Sequence, residues 1–427
     1  MRKMELVQLA GLYFLGTEEF NSSNCMMSTV VLKEKIDMAK LALSYRQLIL
    51  ENPLLQTKII ECPAKNRFTW GRFSAGEVEW LLCFEERQLS QRYDQEAILK
   101  QYYPTNARLP FYISVVAENT VIICMNHILA NGRCFIYWIQ KWLQYYAGDQ
   151  PGDRNGGQLT DATWRDKSLH WLKRTGAFLW LPVFLAAFLL KGGRKAVQDT
   201  VDLSRGKQPA ESNEYAVKSY GFSREETAAI RSRCKAKGMT LTEYMCGKLA
   251  QGFLQHDPDK QRVLVSMPMD MHALMPYSPE DTYGNLIVSL PAQFFRAGEM
   301  EKQVKSVFKW FKRGIPYSLS CLFAAISPSY EKVKLRCLKL CQKPVPARSP
   351  LGNFTLTYSS LGVISYPVLE KMVDAIYFYF KPQAILVASS ILGGRLYMQV
   401  SLTRDLYNAG EVFALFDRLL AMENLVD

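Results

Sequence analysis

The sequence predicts an α/β fold, on three observations. An apolar run at 120–125 (TVIICM) reads as a buried strand and leads directly into 133–146, whose Phe135, Ile136, Ile139, Trp142, Leu143 and Tyr146 recur at helical spacing. Near the start, a strand-like stretch, an amphipathic helix and a second strand-like stretch follow one another over 28–61. In the second half, a strand at 214–222 precedes two helix starts that each carry a capping box, Ser223 with Glu226 and Thr240 with Glu243. At 427 residues the chain is long enough for two or three domains and a large core.

Residues 28–35 (STVVLKEK) read as the first strand. In the helix expected over 36–51, Met38, Leu41, Tyr45, Leu48 and Ile49 share one face, and Asn52-Pro53 ends it. Residues 54–61 return as a strand, and 111–116 with 120–125 form a hairpin. The Gly-rich polar stretch 149–162 is a loop, and 196–212 a linker. The first capped helix runs to Lys237 and stops at Gly238; the second runs to Gln255. Strands follow at 262–269 and 286–290, the latter after Asp281-Thr282-Tyr283-Gly284-Asn285, where Gly284 serves a turn and Asn285 a hydrogen bond. A basic amphipathic helix spans 301–312, and a further basic block spans 332–348. The strand at 353–358 leads into Ser359-Ser360-Leu361-Gly362. Three more strands (374–380, 384–390, 395–402) and a helix at 409–423 complete the chain.

The net charge of +12 suits an anionic ligand, an anionic membrane face or nucleic acid. Nucleic acid is disfavoured, because no basic stretch interleaved with stacking aromatics is present. None of the ten cysteines forms a CxxC pair and several sit in apolar runs, which implies reduced thiols and a cytoplasmic protein, with neither disulfide framework nor metal site. Residues 1–15 do not make a signal peptide, since Glu5 and Gln8 interrupt the apolar stretch. Residues 177–190 (AFLWLPVFLAAFLL) are uniformly apolar, with Lys173 and Arg174 before them and Lys191, Arg194 and Lys195 after. The run is shorter than the roughly 20 residues a spanning helix needs and contains Pro182. It reads either as a buried core helix or as an interfacial segment; the basic flanks favour the second, with 173–195 meeting an anionic membrane at its inner face.

Only four histidines occur, and His127 alone lies in a tight turn at the end of a core-type strand, rather than elsewhere like His170, His256 and His272. Such a histidine is either a satisfied structural residue or a general base. Asn131 is suited to accept from backbone NH groups at the following helix start, and Gly132 to a backbone conformation that a Cβ resists.

The turn Asn126-His127-Ile128-Leu129-Ala130-Asn131-Gly132 resembles the HHxxxDG motif of the chloramphenicol acetyltransferase-like superfamily. That superfamily includes peptide-synthetase condensation domains, wax ester synthases, alcohol acetyltransferases and polyketide-associated acyltransferases. His127 matches its catalytic histidine and Gly132 its glycine; Asn126 replaces the first histidine and Asn131 the aspartate. The family's aspartate pairs with an arginine after the strand equivalent to 262–269, where this chain has His272 and no arginine. Further resemblances are Asn52-Pro53-Leu54-Leu55-Gln56 to the His-Pro-x-Leu-Arg turn, Leu109-Pro110 to the entry of the hairpin, and 222–250 to the paired helices opening the second half. Tyr283-Gly284-Asn285 resembles the channel-shaping DFGWG element, Ser360-Leu361-Gly362 an S-N-L-G element, and Arg404-Asp405 the end of a family strand.

The resemblance implies two α/β sandwich halves sharing a central channel, here 1–195 and 213–427 joined by 196–212. It implies an acyltransferase in which a thioester donor, acyl-CoA or an acyl carrier protein, enters one mouth and the acceptor the other. His127 is then the general base, with Asn131 beside it in the catalytic motif. Candidate donors to the oxyanion are Thr357, Tyr358, Ser359, Ser360 and Asn285. The sequence has no GxSxG element, which points to direct transfer without a bound cofactor. The apolar 177–190 run favours a lipophilic acceptor with a hydroxyl or amine. The alternative is a non-catalytic relative that only binds a carrier protein or lipid, in keeping with Asn126 and Asn131.

Overall fold

The computed structural model describes residues 25–62, 67–100, 106–149, 178–186, 199–204, 215–270, 287–319, 348–349, 352–380 and 385–426. The chain forms two α/β lobes, each built on its own sheet.

Strand β1 (Cys25–Leu32) leads into α1 (Met38–Glu51), which starts where the Asp37 side chain accepts from the Lys40 amide. The apolar spacing predicted for this helix is realised: Leu41, Tyr45, Leu48 and Ile49 are buried, whereas Met38 is exposed. Pro53–Gln56 then forms a 3-10 turn rather than the start of a strand, because Pro53 cannot donate to a ladder. The strand β2 (Thr57–Cys62) begins after it and pairs with β3 (Arg67–Arg72). Next come α2 (Ala75–Leu89) and α3 (Gln95–Lys100). The hairpin β4 (Phe111–Ala117) and β5 (Thr120–Asn126) follows, antiparallel as its two apolar runs predict. Helix α4 (Gly132–Ala147) packs against α1, with Trp142 Nε1 donating to Ser44 Oγ at 3.2 Å. The start of α2 is a capping box formed by Ser74 and Glu77.

Helix α5 covers residues 178–186, inside the uniformly apolar run. In the second half, β6 (Tyr215–Gly221) precedes α6 (Arg224–Ala236) and α7 (Leu241–His256), and both capping boxes read from the sequence are present. Strands β7 (Arg262–Asp270) and β8 (Ile287–Phe295) are followed by α8 (Met300–Lys312). The short ladder β9 (Arg348–Ser349) and β10 (Gly352–Asn353) precedes β11 (Leu356–Ile364) and α9 (Pro367–Met372). Strands β12 (Val373–Phe380), β13 (Ile385–Leu392) and β14 (Arg395–Thr403) follow. The C-terminal helix breaks at Leu420 into α10 (Ala409–Leu419) and α11 (Met422–Val426).

The first sheet has the order β12-β1-β5-β4 and the second β6-β14-β13-β11-β7-β8. Strand β12 therefore leaves the second half of the chain and pairs with β1 of the first, Met26 opposite Phe380 through Val31 opposite Ala375. The first hydrophobic core accordingly includes Ile376 and Phe378 with Val30, Ile123 and Phe135. The second core gathers Ile230, Leu249, Val304 and Phe416 from the helices over Val265, Val387 and Val400 of the sheet. Part of the stretch expected as a linker is packed on this lobe: Val201 is fully buried, and Thr200 Oγ1 accepts from the Arg262 guanidinium at 2.9 Å. Among the described residues seven cysteines are free and no cluster of metal-ligating side chains occurs.

One buried ion pair fixes α2 to the strand entry. Arg108 Nε donates to Glu85 Oε1 at 2.7 Å, a second contact joins Nη2 to Oε2, and both side chains are almost wholly inaccessible. The guanidinium also lies 3.6 Å from the Tyr112 ring centre. Removing one partner leaves an uncompensated charge in the core, so Glu85→Ala is expected to cost about 3–5 kcal/mol in urea unfolding. The double variant Glu85→Leu/Arg108→Met is expected to recover most of that loss.

Candidate functional site

The site is built at the end of β5. Asn126 Oδ1 accepts from the Ile128 amide at 2.9 Å, and the Leu129 amide donates to the Asn126 carbonyl, which folds the chain back on itself. His127 is thereby turned inward and is only 6% exposed. Its Nδ1 lies 2.9 Å from the Ala130 carbonyl oxygen. That oxygen can only accept, so Nδ1 carries the proton and Nε2 is the basic nitrogen. Burial pushes the imidazole pKa down to about 4, against a smaller upward pull from the Ala130 carbonyl. The ring is therefore neutral at physiological pH.

Asn131 caps α4, its Oδ1 accepting from the Cys134 amide at 3.0 Å. It is completely buried. Its other side-chain atom reaches across to the second lobe: Nδ2 donates to Asp270 Oδ1 at 3.1 Å. Asp270 is the last residue of β7, and its Oδ2 lies 3.2 Å from Arg133 Nε. The partner that β7 supplies to Asn131 is thus a carboxylate, and an arginine, Arg133, stands on α4 two residues after Asn131. Sequence reasoning missed Asp270 and Arg133. The one signal was an acidic residue ending an otherwise apolar strand.

Gly132 serves a different need from the one its sequence position suggests. It carries no left-handed φ; a Cβ there would lie 2.4 Å from Leu361 Cδ2. Leu361 is the extra residue of a bulge in β11, where the pairing with β13 slips between Ser360 and Gly362. Gly362 adopts φ +74°, which suits a residue without Cβ. The Ser359-to-Gly362 stretch is therefore a bulged continuation of the strand, not its end, and the bulge brings Leu361 to the start of α4.

The remaining candidates are spread over both faces of β11. Tyr358 is buried in the second core with its hydroxyl 3.1 Å from Ser389 Oγ, and Ser360 Oγ accepts from Thr242 of α7 at 3.0 Å. Thr357 and Ser359, half-buried, alternate to the opposite face. The fold thus brings Asn126, His127, Asn131 and Gly132 together with Leu361 and Asp270, whereas Tyr358 points into the core. Tyr283, Gly284 and Asn285, like His170 and His272, lie outside the described residues.

No protein-family description matches the sequence, and no curated protein matches it either. Solved structures do. The condensation domain of the monacolin K polyketide synthase MokA is 10% identical with a TM-score of 0.64, covering 99% of this chain and 96% of that one. Polyketide synthase associated protein 5 from Mycobacterium tuberculosis is 10% identical with a TM-score of 0.62, covering 100% and 98%. The starter condensation domain of rhizomide synthetase, solved as a mutant with C8-CoA, is 12% identical with a TM-score of 0.61, covering 100% and 95%. The chain has the two-lobed α/β fold of these condensation domains.

Restoring the aspartate of the motif tests the Asn131 contact. In Asn131→Asp two carboxylates face each other where one amide now donates, and the cost is expected to be about 2 kcal/mol with no gain in activity. Adding Asp270→Asn returns a donor to the pair. Urea unfolding of the two single variants and the double variant should show the double more stable than Asn131→Asp; additive losses would mean that the two side chains do not interact.

Proposed function

We propose that the protein is an acyltransferase that moves an acyl group from a thioester to a hydroxyl or amine of a lipophilic acceptor, with His127 as general base. The observation that carries this reading is the His127 imidazole, held neutral with Nδ1 committed to the Ala130 carbonyl, at the junction of two lobes of this fold. Nε2 takes the proton from the acceptor as its oxygen or nitrogen bonds to the thioester carbonyl carbon. The tetrahedral intermediate then expels the thiolate, which regains the proton from His127, so the imidazole ends as it began. The donor, acyl-CoA or an acyl carrier protein, is a co-substrate rather than a resident cofactor. The neighbour solved with C8-CoA and those named as synthetase domains support a thioester donor. Asn131 acts by holding the turn against Asp270 rather than by touching the reacting atoms.

His127→Ala is expected to remain folded and to lose about a hundredfold or more in acyl transfer. The assay is incubation with labelled acyl-CoAs and a total lipid extract, read by mass spectrometry. In the wild type the acid limb of the rate profile is expected near pH 4 rather than 6.5, since the base loses function only when protonated. Full activity in His127→Ala would exclude the assignment. Absence of transfer by the wild type, with retained binding of an acylated carrier protein or lipid, would favour the non-catalytic reading. That second reading draws support from Asn126 and Asn131 in the motif.

The acceptor is proposed to be lipid-like and the protein a cytoplasmic one that docks on an anionic membrane through α5. One side of α5 packs on the second core through Leu181, with Phe184 and Leu185 beside it. Its other side leaves Leu179 73% and Val183 50% exposed, with Phe178 and Trp180 also open. No helix among the described residues is long and apolar enough to cross a membrane. The basic flanks at 173–174 and 191–195, like Phe188, lie outside the described residues. The wild type is expected to co-float with anionic liposomes at low salt, and Leu179→Ser/Val183→Ser to be released. Equal flotation of both proteins would remove α5 from the interaction.

A further inference from the structure

Beneath α5 lies a cleft of about 100 Å³, open to solvent along one side, that the reaction site does not use. Val307, Trp310 and Phe311 of α8, Leu290 and Phe295 of β8, and Phe184 of α5 form most of its wall. Its two glutamines already make hydrogen bonds. Gln303 accepts from the Phe295 amide at 2.8 Å and donates to the Phe295 carbonyl at 2.9 Å, and Gln293 accepts from the Arg262 guanidinium. The wall is mostly apolar, so a hydrocarbon chain suits the interior.

The rim is different. Lys302, Ser306, Lys309 and Arg313 follow one another at spacings of four, three and four along α8, a single row beside the lining row. Ser306 of that row lines the cleft. Lys302 is paired with Glu299, but Lys309 and Arg313 have no carboxylate partner among the described residues. The Arg313 guanidinium lies 3.7 Å from the Trp180 ring centre and 5.2 Å from that of Trp310, which itself lines the cleft. Arg313, over the lining Trp310, puts a cation beside the apolar cleft, and Lys309 follows it on the same row of α8; such a pairing complements a ligand with a hydrocarbon chain and an anionic end.

We propose that this cleft binds a free long-chain fatty acid, its chain between α8, β8 and Phe184 and its carboxylate at Arg313 and Lys309. The site is distinct from the His127 turn. Asp270, which holds Asn131, pairs with Ile287 at the start of β8, whereas the cleft begins at Leu290 and extends to Phe295. That separation is about 10–26 Å along the strand. The test uses the His127→Ala protein so that failure of one reading leaves the other standing.

The experiment is displacement of a fluorescent fatty acid by monomeric oleate, with oleyl alcohol as the neutral control. Saturable binding of one oleate is expected. Ser306→Trp, a filling substitution at an exposed position, should weaken it about tenfold or more. Lys309→Glu and Arg313→Glu should each weaken oleate about fivefold while leaving oleyl alcohol unchanged. The proposal is overturned if monomeric oleate does not bind, if Ser306→Trp binds as the wild type does, or if the charge reversals weaken acid and alcohol alike. Association with anionic liposomes without binding of monomeric oleate would also overturn it, since the face would then adsorb to a surface without admitting a chain.

Discussion

The contact on which the site depends is the Asn131 side chain. Its oxygen caps α4 and its nitrogen bonds Asp270 of the other lobe, so one amide sets both the start of a helix and the closure of two sheets. No other short side chain supplies an acceptor and a donor at those two positions: aspartate lacks the donor, and serine lacks the reach. Because Asn131 and His127 belong to the same turn, fixing the first orients the second. Arg133 then balances the remaining charge of Asp270 at a partly exposed edge, where it is accessible to water and salt.

Three further contacts hold the lobes in register. Strand β12 hydrogen-bonds to β1 although it is separated from it by most of the chain, and the Tyr397 hydroxyl donates to the Asp374 carbonyl at 2.5 Å between β14 and the start of β12. The bulge at Leu361 presses a side chain onto Gly132, at a distance that no Cβ would allow without displacing Leu361. Together these place the histidine turn at a junction rather than on a surface. Burial there has a chemical consequence: it disfavours imidazolium and keeps His127 neutral over a wide pH range.

The second lobe contributes chemistry of another kind. Its edge strand β8 is packed by α8, and α5 packs one side on the same core while its other side leaves apolar surface exposed. Arg313 lies over the indoles of Trp180 and Trp310, so its charge is held close to apolar groups while staying available to an anion.

Local chemistry was legible in the sequence. The capping boxes of Ser223 with Glu226 and Thr240 with Glu243 involve residues three apart, and each formed as read. The strand at 120–126, the helix after Asn131 and the hairpin before it follow from periodicity and turn residues alone. The two-lobed α/β fold was readable too, since its motifs occur in order along the chain. Other features depended on residues distant in sequence. Gly132 is explained by Leu361, not by its own φ, and the Asn131 partner lies 139 residues away on a strand whose pattern shows only burial. Periodicity reports which face of an element is apolar, and capping reports where a helix begins; neither carries information about which distant side chain will arrive opposite. That the charge at the junction sits on Asp270 with an amide facing it was decided by the docking of two sheets, because only there do the two side chains come within hydrogen-bonding distance.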